Sequence, residues 1–227
     1  MGKETCIKIN QCTIEDFGKT RFVDLIDVIE EGAIIISTSV MGGGAAFAEI
    51  SYRLQLLNTI INTLPFDVDA MRVAVTDLMR AINIFLLIPG IVVRQIQTLN
   101  AKLTTLNGYV KFYTGLTCVL HRKEGVNMCQ AATVSAISRG ETLLTLIREL
   151  FEGLSGVLGI LAGFGSITTQ QDAQDQFTLV FMALEEATIS AELIGPLLDE
   201  YMLAITGVID CIREQGYLYN VCCGTKC

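Results

Sequence analysis

Along most of this chain apolar residues recur at alternating steps of three and four, and no other feature constrains the fold as much. One run passes through Phe47, Ile50, Leu54, Leu57, Ile61 and Leu64 to Pro65; the next passes through Val68, Met71, Val75, Leu78, Ile82 and Phe85 to Pro89-Gly90. The rhythm resumes as Val92, Ile96, Leu99, Leu103, Leu106, Val110 and Tyr113, then as Ile137, Leu144, Ile147, Phe151, Leu154, Leu158 and Leu161. A last run holds Phe177, Val180, Leu184, Ala187, Ala191, Ile194, Leu198, Tyr201, Ile205, Val208 and Ile212. A strand would alternate every second residue, whereas a period of about 3.5 held this long predicts helices packed side by side with interlocking side chains. The expected fold is all-α: an elongated bundle of about four long, antiparallel, heptad-patterned helices with a small irregular N-terminal unit. At a rise of ~1.5 Å per residue, helices of ~25 to 40 residues would measure ~40 to 60 Å.

The 227 residues contain three prolines and no Ser- or Pro-rich linker, so a single helical domain is expected. Residues 1–31 form a polar N-terminal segment, with Ile7 and Ile9 alternating like a short strand and Phe22, Leu25 and Ile29 spaced like one helical face. Residues 32–48 are apolar, contain no charged residue and include Gly42-Gly43-Gly44; three glycines in a row, each costing about 1 kcal/mol relative to Ala, predict a hinge or irregular segment. Helices 1 and 2 are expected over 47–120 with breaks at Pro65 and Pro89, helix 3 over 129–165, helix 4 over 172–214, and a Cys-rich tail over 215–227. Asn127 with Gln130 three residues on resembles a capping box that would start helix 3, and Pro196 predicts a bend in helix 4 rather than its end.

Composition says what such a bundle faces. Apolar residues make up 51% of the chain and charged residues 18%, fewer than the ~25% of ordinary soluble domains. Mean hydropathy is +0.50. The surplus apolar surface must meet another subunit, a lipid or a bilayer. A net charge of −8 with scattered Lys and Arg excludes a basic stripe, and with it nucleic acid as a partner. Two stretches approach a membrane span in length: residues 32–48, with Ile34, Ile35 and Ile36, and residues 153–171, with the ladder Gly153, Gly156, Gly159 and Gly163 beside Phe164. These are the candidate membrane or partner contacts. A plainer role for the same glycines is to seat a neighbouring helix. Gly2 behind Met1 loosely matches a lipidation start, although Cys6 stands where Ser or Thr is usual.

No secretory signal is visible at the N-terminus, yet eight cysteines are present, placed where chain ends or connections are expected. Cys118 and Cys129, and again Cys211 and Cys222, are each separated by ten residues, which suggests two local staples; Cys6, Cys12, Cys223 and Cys227 complete the set. The compartment is open, whether at a membrane or within a virion or other assembly: an oxidising route outside ordinary secretion, such as a virion or the mitochondrial intermembrane space, or cysteines that stay reduced, would reconcile the cysteine content with the absence of a visible signal. Catalytic chemistry finds no footing. His121 is the sole histidine and excludes two-histidine metal sites, Gly18-Lys19-Thr20 lacks the Gly a phosphate loop needs at Thr13, and Gly153-Leu154-Ser155-Gly156 is no nucleophile elbow. No catalytic, metal or cofactor residue is expected. The leading expectation is a non-enzymatic structural subunit that forms homo-oligomers or a larger assembly, at a membrane or in a particle such as a virion. The alternatives are a pore-forming effector inserting a Gly-rich segment and a carrier of an apolar ligand.

Overall fold

A computed structural model describes residues 11–114 and 123–214, with side-chain surroundings over 24–40, 43–111 and 127–214. The fold is all-α, a bundle of four long helices: α1 (Gln11–Ile61), α2 (Val68–Thr114), α3 (Lys123–Ala162) and α4 (Gln170–Glu214), with a 3-10 turn, Gly163–Ser166, after α3. No strand occurs among the described residues.

The ends of these helices follow from local chemistry. α1 stops before Pro65, which cannot supply a helical N–H. Asp67 then caps α2, its Oδ1 accepting from the backbone N–H groups of Asp69 and Ala70, both at 2.9 Å. Thr169 caps α4: its Oγ1 accepts from the N–H of Asp172 at 3.2 Å and donates to the Asp172 carboxylate at 2.6 Å. Two glutamines of α4 satisfy carbonyls orphaned at other helix ends, Gln176 donating to Ile160 O and Gln170 to Ile61 O, each at 2.8 Å. The Gln176 contact explains Gly163, where an added Cβ would lie 2.8 Å from Gln176 Nε2.

Several sequence expectations are corrected. Residues 32–48 are not an irregular segment, and residues 11–31 are not a separate unit, because α1 is continuous through both. The glycine run costs about 3 kcal/mol, but Ile36 and Ile50 on either side are fully buried, and each such side chain contributes ~1.5 to 3 kcal/mol. Pro89 interrupts nothing: α2 passes through it with Phe85 and Val92 buried on adjacent turns, just as α4 passes through Pro196. α3 begins at Lys123, so Asn127 and Gln130 lie inside it and form no capping box; it ends at Ala162, short of 165. The strand-like Ile7 and Ile9, Gly2, Cys6, Cys118, His121, Cys222, Cys223 and Cys227 lie outside the described residues.

The chain gathers into two compact units, each receiving a stretch of every helix. The first comprises the described parts of Met1–Ile35, Ile96–Thr142 and Asp199–Cys227. Its core includes Ile29, Leu99, Leu103, Leu106, Ala136, Ile205 and Val208. Cys129 and Cys211 are joined here, with Cα atoms 5.5 Å apart. This replaces both expected staples: equal spacing in sequence carried no distance information, whereas Cys129 lies near the start of α3 and Cys211 near the end of α4. Arg139 pairs with Glu200, and Arg213 with Glu30 at 2.9 Å.

The second unit comprises Ile36–Gln95 and Leu143–Leu198. Leu57, Ile61, Met71, Leu78, Ile82, Leu154, Val157, Phe164 and Val180 are fully buried in one cluster. The Phe47 and Phe85 rings meet edge to face with centroids 5.4 Å apart.

Candidate functional site: the outer face of α4

Within the second unit α4 is apolar on two faces. Val180, Leu184 and Ala187 point inward and are buried. Leu179, Met182, Ile189 and Leu193 point outward and remain 52%, 61%, 59% and 51% exposed. With Glu186 in the central gap, these positions follow steps of three, four, three and four, so they stand one above another along the helix. The outer side of α2 carries a shorter row, Ile84, Leu87 and Ile91, also exposed. Scattered exposed apolar residues are ordinary, but a row of them along one helix is a candidate contact surface. The only charged residues between Gln176 and Gly195 are Glu185, Glu186 and Glu192, so the face is apolar with Glu186 at its centre and the other two carboxylates beside it.

The contact candidates read from sequence divide. Ile34 and Ile35 are exposed, at 66% and 39%, but Ile36 and Phe164 belong to the core. Residues 153–171 cannot cross a bilayer as one helix, since α3 ends at Ala162 and the chain turns through Gly163–Ser166. In the ladder, Gly153 seats a neighbouring helix, its Cβ direction meeting Ala187 at 3.7 Å; Gly156 and Gly159 face open space, and Gly163 makes room for Gln176. Among the described residues, the stretches long and apolar enough to cross a membrane, by length and composition, are Asp24–Ile61 and Val68–Lys111. The first contains 32–48; the second lies elsewhere than 153–171.

Sequence reading missed the outer row of α4, although the spacing of Leu179, Met182, Ile189 and Leu193 is visible once the inner row has been assigned. It also missed a buried polar network in the first unit. There the Tyr201 hydroxyl donates to Asn100 Oδ1 at 2.8 Å, and Asn100 Nδ2 donates to Glu141 Oε1 at 3.3 Å and to Ile137 O at 3.5 Å. Burial, with the Glu141 charge second, raises the Tyr201 hydroxyl well above the ordinary phenol value. The hydrogen bond between Tyr201 and Asn100 ties α4 to α2 inside the core. Among the described residues, no group of three or more His, Cys, Asp or Glu side chains could hold a metal ion. Compared with known protein families, characterised proteins and solved structures, the chain matches none of them.

Proposed function

We propose that this chain is a non-enzymatic assembly subunit whose copies associate through the outer face of α4. The row Leu179, Met182, Ile189 and Leu193 carries the reading. Its three-four spacing is that of a coiled-coil seam, and one face presented by two copies is self-complementary under two-fold symmetry. Covering four half-exposed side chains on each of two copies yields roughly 6 to 12 kcal/mol gross, against association costs of about 4 to 15 kcal/mol. The association is therefore weak and concentration-dependent, strengthened where further apolar rows, such as that on α2, are covered too.

The subunit is a bundle of antiparallel helices with heptad seams. Support comes from contact order. In the second unit, positions 53, 47 and 43 of α1 meet 77, 85 and 88 of α2. In the first, positions 129 and 139 of α3 meet 211 and 200 of α4. Partner numbers run in opposite senses in both.

Substituting Met182→Glu together with Ile189→Glu tests the function. Both side chains are exposed, so helical content should be unchanged while sedimentation shows the association lost; a variant that associates like the wild type would remove the proposed face. A second reading, membrane contact, is favoured by the apolar length of Asp24–Ile61. Flotation of the chain with phosphatidylcholine vesicles, unaffected by the α4 substitutions, would support it over self-association.

A further inference from the structure

In the second unit, residues that weaken helices converge on one place. Gly43 and Gly44 of α1, Pro89 of α2 and Gly195 of α4 border a cavity of about 350 Å³, walled mainly by apolar side chains that include Phe47, Phe85 and Leu150. A Cβ added at Gly44 or Gly195 would meet nothing within 4 Å, and one at Gly43 would meet only Ile88, at 3.8 Å. The space persists because the helices bring glycine where a side chain would have filled it. The space is a cleft open on one side, and its size falls in the range of small-molecule sites. Gly44, Glu192 and Gly195 are exposed, so the mouth opens between α1 and α4.

Polarity at the mouth selects the occupant. Among the described residues, the side chains bearing polar atoms in the lining are Thr188 and Glu192. Thr188 Oγ1 already donates to Leu184 O at 2.8 Å, which leaves it only as an acceptor, and a carboxylate accepts as well. The cavity therefore offers an apolar body and an acceptor-only rim. We propose that it binds a small amphiphile with an alkyl body and a hydrogen-bond-donating head, an alcohol or a primary amine, and discriminates against a carboxylate head through Glu192. This site is independent of the outer row of α4.

The test is calorimetric titration of the full oxidised chain with decanol, decylamine and decanoate, each below its micellar concentration. Decanol and decylamine should bind saturably with one site per chain, and decanoate more weakly by about tenfold or more, as an approaching like charge near a protein surface requires. Gly44→Leu and, separately, Ala191→Leu should fill the cavity and abolish binding, with helical content kept and thermal stability equal or higher. Glu192→Gln should bring decanoate to within about threefold of decanol, since the opposing charge is gone. The proposal is overturned if none of the three binds saturably, if decanoate matches decanol in the wild type, or if both filled variants still bind.

Discussion

Gly140 sits against the buried network of the first unit, and Gly140→Ala should reverse the usual sign of a glycine-to-alanine change within a helix. An added Cβ would lie 2.4 Å from Asn100 Oδ1 and 2.7 Å from its Nδ2, too close for real atoms. Asn100 cannot simply swing aside, because its Oδ1 accepts from Tyr201, whose ring is fully buried. Alanine gains about 1 kcal/mol in helix propensity. Displacing the carboxamide leaves the Tyr201 hydroxyl and an amide without partners, at ~1 to 3 kcal/mol for each. The net expectation is a loss of ~1 to 5 kcal/mol, a fall in Tm of ~2 to 4 °C for each kcal/mol in a chain of this size. The discriminating measurement is a double-mutant cycle by urea unfolding. In an Asn100→Ala background the same Gly140→Ala change has room and should stabilise by its propensity alone, giving a coupling of about 2 kcal/mol or more. Equal stabilisation in both backgrounds would refute the steric reasoning.

Other perturbations have equally definite outcomes. Because the native Tyr201 hydroxyl holds its proton more tightly than the unfolded one, its contribution is fully present below about pH 10 and is lost as pH climbs through the higher native value. Wild type should therefore lose stability in alkaline solution faster than Tyr201→Phe, and parallel unfolding curves would contradict that. The Cys129–Cys211 bond spans a sequence separation of 82, so removing it in a Cys129→Ser, Cys211→Ser variant should cost about 4 kcal/mol by loop entropy. Non-reducing peptide mapping should recover the linked pair. Gly159→Ala, at an exposed helical position with nothing near its Cβ direction, should raise stability by up to about 1 kcal/mol in the same urea assay.

Much of the fold was legible because the helices advertise themselves: Leu57, Leu78, Leu154 and Val180 are the periodic positions that end up buried. Propensity was a poorer guide. Gly42-Gly43-Gly44, Pro89 and Pro196 all weaken helices locally, yet each lies in a helix whose neighbouring turns bury large side chains, and burial outweighs the local cost. True ends are marked instead by side-chain capping, as at Asp67 and Thr169, or by Pro65 at the close of the exposed turn 62–65. The disulfide partner of Cys129 was not legible, because spacing along the chain does not report proximity between helices. The α4 row and the cavity escaped for a related reason. Both depend on which side of a helix is already occupied, and a chain apolar on two faces does not say which face is inside until its neighbours are placed.

Light-scattering mass of the oxidised, detergent-free chain over a dilution series is the direct test of the proposed association through the outer row of α4. The mass should rise with concentration from the 24.7 kDa of one chain towards a multiple of it, and the rise should vanish in the Met182→Glu, Ile189→Glu variant. A wild-type mass of 24.7 kDa at every concentration would mean that the exposed row of α4 serves no self-association.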